Sequence, residues 1–315
     1  MAVRPTGRDW CGAVACLYAH HVNEPGPPRL RIGVIGAGRA GVVLGAALRR
    51  AGHQVLAVSA VSDLSRLRAE ALLPGVPITD VPGATKDVDL VLVAVPDDTL
   101  PSLVAGLAET GNVHPGQFWV HPAGRYGISV LAPVTQHGAV PIAVHPIMTF
   151  TGTSVDLARL VDCPFGVSAP AAMRPIAEAL VVEMGGDPVW VPEEARALYH
   201  AALAYGSNYL ITLVAQTVDL LKVAGIENPQ QLIAPLLSAS LDNALRLGDQ
   251  GLTGPVARGD AAAVAAHLEA IAQVSEQGAA GYRALGRLTA DRAVAAGLLS
   301  PQAAEPLLEV LGEGR

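Results

Sequence analysis

The chain has 315 residues, of which 51% are hydrophobic and 16% charged, and its net charge is −7. This apolar content excludes a disordered chain, which requires low hydrophobicity and high charge. The acidic balance argues against a nucleic-acid binder, which usually presents a basic patch, and three cysteines are too few for a disulfide scaffold. The length predicts one large or two ordinary domains. We expect a cytoplasmic α/β protein.

The first 29 residues have the composition of a flexible tail. Arg4 and Arg8 precede a short apolar run from Trp10 to Ala19, and a segment rich in proline and glycine follows. A secretory signal is the less favoured alternative, because the apolar run is short and no small-residue cleavage site follows it. An over-long start assignment is a further alternative. We therefore expect the folded part to begin at residue 30.

A glycine motif lies between a predicted strand and a predicted helix. The strand is Arg31–Ile35, the helix is Val42–Arg50, and a second strand follows at Gln54–Val58. The motif between them is G-x-G-x-x-G and consists of Gly36, Ala37, Gly38, Arg39, Ala40 and Gly41. The spacing alone is weak evidence in a chain with 33 glycines, but a strand before it and a helix after it are typical of a dinucleotide-binding site.

Each glycine of the motif has a physical role in such a site. Gly36 permits the tight turn, Gly38 lets the backbone approach the pyrophosphate, and Gly41 allows close packing of helix against strand. The diphosphate then lies at the positive end of the helix. We expect the whole motif to bind the cofactor.

The end of the second strand favours NADP over NAD. An NAD enzyme commonly carries a carboxylate there for the ribose 2′-hydroxyl. This chain instead has Ser59 and Ser62, with Arg66 and Arg68 just beyond. A 2′-phosphate would be accepted by the serines and by one arginine, whereas the other arginine is expected on a solvated helix face. Asp63 is the counter-argument, unless it caps the following helix.

Three further predicted strands complete a parallel sheet. They are Asp87–Val95, which has the continuous Val/Leu pattern of a strand buried on both faces, Gln117–Val120 and Val140–Val144. Ligands of open parallel sheets lie beyond the carboxyl ends of the strands. The residues at these ends are Val95, Pro96, Asp97, His121 and His145. We expect the first three to contact the cofactor.

Several aspartates immediately precede predicted helices, where a carboxylate can cap the free N–H groups. These pairs are Asp63 before Leu64–Leu72, Asp97 and Asp98 before Leu100–Leu107, and Asp260 before Ala261–Val274. A catalytic role for Asp97 or Asp98 is the alternative.

The second half of the chain is predicted to be helical. After a strand at Phe165–Ser168, a helix at Pro170–Met184 and a strand at Val189–Val191, only helical patterns follow. The predicted helices are Glu193–Ala224, Pro229–Leu247, Ala261–Val274, Gly281–Ala296 and Ala303–Leu311. We divide the chain into a tail (1–29), a dinucleotide-binding Rossmann domain (30–168) and a helical substrate and dimerisation domain (169–315).

The uncharged run Ala197–Val218 is long enough in principle to cross a bilayer. It contains His200, Ser207 and Asn208, and an all-round apolar helix of a soluble protein is usually buried in a larger assembly. We therefore interpret it as the central helix of the second domain.

Several motifs together resemble one family. They are GAGRAG at 36–41, VAVPD at 93–97, the His-Pro pairs at 121 and 145, MTFTG at 148–152, LYHAA at 198–202 and LTGPVARGD at 252–260. This combination resembles the Rossmann-like family with a C-terminal domain of unknown function 2520, over about residues 30–295. One departure is that members often carry Ser-Gly after the first loop histidine, whereas this chain has Pro122-Ala123-Gly124.

The resemblance implies a fold and an activity. The family looks related to β-hydroxyacid dehydrogenases, pyrroline-carboxylate reductase and prephenate dehydrogenase, which pair a Rossmann domain with an all-helical domain of the 6-phosphogluconate-dehydrogenase type that usually dimerises. Some members resemble an alternative ketopantoate reductase. The resemblance thus implies an NADPH-dependent oxidoreductase acting on a small keto acid or related carbonyl or imine, with ketopantoate as a candidate, in a homodimer.

The usual proton donor of these relatives is absent. The β-hydroxyacid dehydrogenase pattern places a lysine four residues before an asparagine on the central helix, but Ala204 stands four before Asn208. Lys86 and Lys222 are the only lysines of the chain. A non-catalytic NADP(H)-binding sensor or scaffold is therefore the alternative function.

His200 lies one further turn back on the predicted helix. At 100° per residue, His200 and Ser207 are about 20° apart around the helix axis, and His200 and Asn208 about 80°. We expect His200 to donate the proton, Asn208 to orient the carbonyl and Ser207 to contact the substrate. A helix-packing histidine is an equally open interpretation.

His145 is the competing acid, because it lies where a parallel strand ends. A turn histidine before a rigid proline is the alternative. His121 is a weaker candidate for substrate binding.

Thr253 and Arg258, which precede the predicted helix Ala261–Val274, complete the candidate site. Arg258 has the planar guanidinium that binds a carboxylate in bidentate fashion, and Thr253 offers a hydroxyl. No spacing in the sequence is typical of a zinc site, so we expect no metal, no nucleic acid and no membrane partner.

Overall fold

The computed structural model describes residues 29–312. The predicted tail therefore lies outside the described residues, apart from Arg29. The chain divides into two compact units, with the boundary between Leu203 and Ala204.

The first unit is built on one eight-stranded sheet. Its strands are β1 (Arg31–Ile35), β2 (Gln54–Ser59), β3 (Ile78–Thr79), β4 (Leu90–Val93), β5 (Phe118–His121), β6 (Val140–Pro146), β7 (Pro164–Ser168) and β8 (Asp187–Trp190). The strand order is β3-β2-β1-β4-β5-β6-β7-β8. The first six strands are parallel, and β7 pairs antiparallel to β6. The order 3-2-1-4-5-6 is that of a Rossmann fold.

Helices lie between these strands. They are α1 (Arg39–Arg50), α2 (Asp63–Leu72), α3 (Leu100–Glu109), α4 (Ala132–Thr135), α5 (Val155–Arg159) and α6 (Arg174–Glu183). Short 3-10 helices occur at Pro82–Thr85, Ile128–Leu131, Ala171–Met173 and Glu193–Ala195.

The central strand β4 shows why its sequence is apolar throughout. Successive side chains of a strand point to opposite faces of the sheet. Leu90 and Leu92 accordingly pack into one core, and Val91 and Val93 pack into the other. All four are almost completely buried, so neither face tolerates a polar residue.

The first unit extends further than the predicted domain boundary at residue 168. It reaches Leu203, because β8 pairs with β7 in the same sheet. Ala177 and Leu180 of α6 also pack into the core of this sheet, so α6 belongs to the same unit. The strands at 165–168 and 189–191, predicted after the parallel set, thus extend the Rossmann sheet.

The second unit is helical. The helix α7 (Arg196–Val223) leads into it, and α8 (Pro229–Leu247), α9 (Ala261–Val274), α10 (Glu276–Ala295) and α11 (Pro301–Val310) follow. The predictions for α8 and α9 are confirmed to the residue, whereas α10 begins earlier than predicted because Ser275 caps it by accepting a hydrogen bond from the Gly278 N–H. Within residues 29–312, none of the helices has both the length and the hydropathy that a membrane crossing requires.

Candidate active site

The glycine motif forms a tight loop between β1 and α1. Gly36 has a φ of +97°, and a Cβ atom there would lie 2.5 Å from the carbonyl oxygen of Ala94. A Cβ atom on Gly41 would collide with the carbonyl oxygen of Gly36. These two positions therefore require glycine, as the motif predicts.

The amino end of α1 can receive an anion. Its N-cap is Gly38, without a side-chain cap, and its first turn has no acidic residue. The first N–H groups of such a helix lack intrahelical partners and attract negative charge. The loop lies at the point where the strand order reverses between β1 and β4, which is where open α/β sheets bind ligands.

Ser59 supports this loop from within the protein. Its Oγ accepts a hydrogen bond of 3.1 Å from the Gly36 N–H, and its carbonyl oxygen accepts one from Ala37. The side chain is buried. This arrangement favours a structural role, and a contact of Ser59 with a 2′-phosphate stays a prediction.

The cap of α2 differs from the prediction. Ser62, not Asp63, is the N-cap, and its Oγ accepts a hydrogen bond of 3.2 Å from the Ser65 N–H. Ser65 in turn accepts from the Ser62 N–H, which completes a capping box. Asp63 is the first helical residue, and Arg66 is exposed on the same helix.

Two arginines converge beside Gly152. A Cβ atom on Gly152 would lie 3.0 Å from Nε of Arg68 and 3.1 Å from Cγ of Arg39. Among the described residues, neither arginine forms an ion pair with a carboxylate. The adjacent loop is held by the buried Asp156, which accepts hydrogen bonds of 2.7 Å from the Thr151 and Gly152 N–H groups.

The capping of α3, the helix that follows β4, also differs from the prediction. Thr99 is the N-cap of α3 and forms no side-chain cap, so neither Asp97 nor Asp98 caps this helix. Asp98 instead accepts a hydrogen bond of 3.3 Å from the Thr99 hydroxyl. Val95, Pro96 and Asp97 lie beyond the carboxyl end of β4, and their cofactor contacts stay a prediction.

The two candidate acids, His145 and His200, lie close together. Their ring centroids are 6.0 Å apart, at nearly perpendicular planes. Nδ1 of His145 lies 2.8 Å from the hydroxyl of Tyr199, a residue of the LYHAA motif that was not among the predicted site residues. Burial, followed by the charges of His200, Arg196 and His121, lowers the pKa of His145 to about 4. His145 is therefore neutral at pH 7.

His121 is enclosed in the loop that follows β5. Its Nε2 lies 2.9 Å from the carbonyl oxygen of Gly127, and its Nδ1 accepts a hydrogen bond of 3.2 Å from the Ala123 N–H. Nε2 must then carry the proton and donate it to Gly127. Both nitrogens are used within the protein and the side chain is fully buried, so a structural role is favoured, and its contact with substrate stays a prediction.

Glu193 anchors the same loop from the other side. Its carboxylate accepts hydrogen bonds of 2.7 Å from the Ile128 N–H and 2.9 Å from the Ser129 N–H. Burial raises the pKa of Glu193, but these hydrogen bonds and Arg196 outweigh burial and hold it below its usual value. Glu193 is thus a fixed negative charge that acts on His121.

Arg196 is the buried cation of this region. Its Nε donates to the Ser168 hydroxyl over 2.9 Å and its Nη2 to the carbonyl oxygen of Gly166 over 3.1 Å. Its Nη1 has no hydrogen-bond partner in the described part of the chain. Arg196 and Tyr199 are three residues apart in α7, which is the spacing that places two side chains on one helix face. The sequence could have indicated Tyr199 through the LYHAA motif, and Arg196 through its position three residues earlier on the same predicted helix.

Comparisons with known proteins identify the two domains of the chain. The Rossmann-like domain model matches residues 19–146, and the model of the domain of unknown function 2520 (DUF2520) matches residues 163–289. The chain thus combines a Rossmann-like domain with a DUF2520 domain. No match was found among curated protein sequences.

Solved structures share the fold. A protein of Bacteroides fragilis is 22% identical, with a TM-score of 0.67 over 84% of this chain and 98% of its own. An imine reductase from Pseudomonas sp. is 18% identical, with a TM-score of 0.65 over 90% of this chain and 100% of its own. A reductive aminase from Aspergillus terreus, in complex with NADPH and ethyl levulinate, is 17% identical, with a TM-score of 0.59 over 90% and 99%.

The DUF2520 domain contains the remaining candidates. Ser207 and Asn208 lie further along α7 than His200 and are exposed, and Thr253 and Arg258 are exposed before α9. Asp260 caps α9 as predicted, since its Oδ1 accepts a hydrogen bond of 3.0 Å from the Ala263 N–H. The meeting of these four candidates with the histidines stays a prediction.

The buried His121 predicts a loss of stability in mild acid. Burial lowers its pKa to about 4, whereas an unfolded histidine titrates near 6.5. As the pH falls from 6.5 towards 4, the unfolded state binds a proton that the folded state does not, so the free energy of unfolding decreases. We expect His121 to contribute about 2 kcal/mol to this decrease between pH 7 and 5.

Urea unfolding of the protein and of the His121→Gln variant at both pH values measures this contribution. Glutamine can donate to Gly127 and accept from Ala123 but does not titrate. The variant should lose less stability than the parent on acidification. An equal loss in both would contradict the assignment of this effect to His121.

Proposed function

We propose that this protein is an NADPH-dependent oxidoreductase that reduces a small carbonyl or imine compound. The observation that carries the proposal is the shared edge of the sheet. The glycine loop after β1 and the imidazole of His145 near the end of β6 both lie at the carboxyl ends of parallel strands. A nicotinamide cofactor bound at the first would have a proton-donating group at the second.

The residues of the loop fit a dinucleotide. Gly36 and Gly41 have no space for a Cβ atom, and the amino end of α1 is free of acidic residues. The N–H groups there would hold the diphosphate. The bound cofactor would supply the hydride.

The pair Arg39 and Arg68 supports NADP as the cofactor. Both side chains lie beside Gly152 and form no ion pair with a carboxylate among the described residues, so both guanidinium groups are available to bind a phosphate. Arg66 is exposed on the same helix as Arg68 and adds to the positive field. The Aspergillus terreus reductive aminase, which shares the fold, was crystallised with NADPH.

We propose a small keto acid, or the corresponding imine, as substrate, with ketopantoate as a specific candidate. Arg258 would bind its carboxylate and Thr253 would donate a hydroxyl hydrogen bond. Ethyl levulinate, which the Aspergillus terreus enzyme binds, is itself a keto compound. His145 or His200 would donate the proton, and Asn208 would orient the carbonyl or imine.

A non-catalytic NADP(H) sensor is the second candidate function. The observation that favours it is Ala204, at the position where relatives of the β-hydroxyacid dehydrogenase type carry a lysine. Such a protein would bind NADPH without oxidising it.

An assay of NADPH oxidation separates the two functions. We expect the absorbance of NADPH to fall in the presence of at least one member of a panel of keto acids and cyclic imines that includes ketopantoate. Because a general acid contributes about 10²–10⁴-fold to a rate, His145→Ala should be at least about 100-fold slower than the parent. The exposed His137→Ala is the control. NADPH binding without turnover across the panel would support the sensor.

The choice of cofactor is tested by binding. Arg39→Ala and Arg68→Ala should each weaken NADPH by about tenfold to 100-fold, since charged hydrogen bonds contribute about 1.5–3 kcal/mol, with little effect on NADH. Arg66→Ala should act in the same direction. Arg50→Ala, at the other end of α1, should change neither affinity. Equal losses for NADPH and NADH would contradict a 2′-phosphate site.

We further propose that the protein is a cytoplasmic homodimer formed through the helical unit. Only Pro229 of α8 is buried, and leucines 232, 236, 241 and 245 of this helix are at least half exposed. A cavity of about 570 Å³, lined mostly by apolar residues of α7, α9 and α10, lies in the same unit. A monomer rarely exposes so large an apolar surface.

Light scattering coupled to size-exclusion chromatography should give the mass of two chains. Leu236→Arg would place a charge on the exposed apolar face of α8 and should shift the mass towards one chain. The matched control is Arg246→Ala, which removes a charge from the same helix and should leave the dimer intact. A parent protein with the mass of one chain would refute the proposal.

A further inference from the structure

The Tyr199 hydroxyl occupies space that is available because Gly166 of β7 has no side chain. His145 and Gly166 are directly paired across β6 and β7, and a Cβ atom on Gly166 would collide with the hydroxyl of Tyr199. The missing side chain at Gly166 therefore lets a residue of α7 reach across β7. The Tyr199 hydroxyl arrives 2.8 Å from Nδ1 of His145.

The direction of this hydrogen bond follows from the protonation states. Burial raises the pKa of Tyr199, so the phenol keeps its proton at pH 7. His145 is neutral, and its Nδ1 is the one side-chain acceptor that the Tyr199 hydroxyl reaches among the described residues. The phenol thus donates to Nδ1, and the proton of the imidazole is on Nε2.

Nε2 of His145 is free to serve a ligand. It has no hydrogen-bond partner among residues 29–312, and His145 is only partly buried. A Cβ atom on Gly124 would lie 2.8 Å from Nε2 of His145 and 2.5 Å from Cδ2 of His200. A residue without a side chain therefore lies beside both imidazoles, which leaves Nε2–H accessible to a small oxygen or nitrogen atom.

We propose that Tyr199 is a positioning residue for the reduction: it holds His145 in the tautomer that presents Nε2–H to the substrate, and it returns a proton to the ring through Nδ1. This inference rests on the proposed reductase function. It names His145, rather than His200, as the group that touches the reacting atom.

The proton and electron balance of the step is complete. The hydride of the dihydronicotinamide forms the new C–H bond, and the π electrons of the C=O or C=N bond move to the oxygen or nitrogen. That atom takes the proton of Nε2, and Nδ1 takes the proton of Tyr199. The tyrosinate then takes a proton from water, so that one proton is consumed for each hydride.

Arg196 makes the tyrosinate stage accessible. Its guanidinium carbon lies 5.6 Å from the centre of the Tyr199 ring, and its charge lowers the pKa of Tyr199 against the larger effect of burial. The negative charge of Tyr199 would therefore form next to a buried positive charge. Ser168 and Gly166 fix that charge in place.

The first test is the tautomer of His145. Nitrogen-15 NMR of histidine-labelled protein at pH 7 should show a neutral ring protonated on Nε2, assigned through His145→Gln. In Tyr199→Phe the ring loses its donor to Nδ1, and its two nitrogen shifts should move towards each other. A wild-type ring protonated on Nδ1, or ring shifts that do not change in Tyr199→Phe, would overturn the inference.

The second test is kinetic and uses the panel substrate with the fastest NADPH oxidation. Tyr199→Phe should lower kcat about tenfold to 100-fold, while the KM for NADPH stays within about twofold. Tyr205→Phe, which removes a hydroxyl from the same helix, is the control. An unchanged kcat in Tyr199→Phe would overturn the relay, whereas absence of turnover in the wild-type protein would refute the proposed reductase function itself.

Discussion

The candidate site depends on glycines, whose lack of a side chain leaves space near the carboxyl edge of the sheet. A Cβ atom on Gly36 would meet the backbone of Ala94, just beyond β4. One on Gly124 would meet the imidazoles of His145 and His200, and one on Gly166 would meet the Tyr199 hydroxyl. Protein interiors are close-packed, so such contacts cannot be relieved by small shifts without cost. The loop for the diphosphate and the approach of Tyr199 to His145 therefore have the same origin, which is the absence of a side chain at a glycine.

Burial determines the protonation states around these glycines. Removing an ionised imidazole from water costs free energy unless it is paired, and both His121 and His145 have a pKa of about 4 as a result. A histidine of this pKa is almost entirely neutral at pH 7 and cannot act as a cationic acid. It can still donate a neutral N–H, provided that its tautomer is fixed and that its proton is replaced, and in this structure the neighbouring phenol is placed for both tasks.

The sequence predicted much of the fold because its signals are local. Strand β1 and the helices Pro229–Leu247 and Ala261–Val274 were predicted to the residue, since apolar patterns, prolines at helix starts and an aspartate cap mark their ends. The glycine motif was equally local. The cap of α2 was assigned to Asp63 instead of Ser62 because both residues are good caps and only the backbone conformation decides between them.

The other half of the site could not be predicted, because it depends on long-range pairing. The contact of Tyr199 with His145 spans 54 positions in sequence, and it requires β7 to pair antiparallel to β6 in the register that sets Gly166 opposite His145. A shift of one residue would turn a side chain of β7 towards His145 instead. The sequence placed His145 and His200 among the candidates, but the register decides which neighbour each of them has.

The two ends of the candidate site differ in their charge. At the glycine loop, the amino end of α1 and the arginines Arg39 and Arg68 accumulate positive charge, which suits a ligand that brings its own negative charge. At His145 and Tyr199 the groups are neutral, which suits a reaction in which charge appears only as the hydride is transferred. Arg196 is the exception, since it is charged and almost completely buried there. Its cost in desolvation is offset in part by the charge of Glu193 and by the hydrogen bonds to Ser168 and Gly166, and a negative charge on the adjacent phenol of Tyr199 would offset it further.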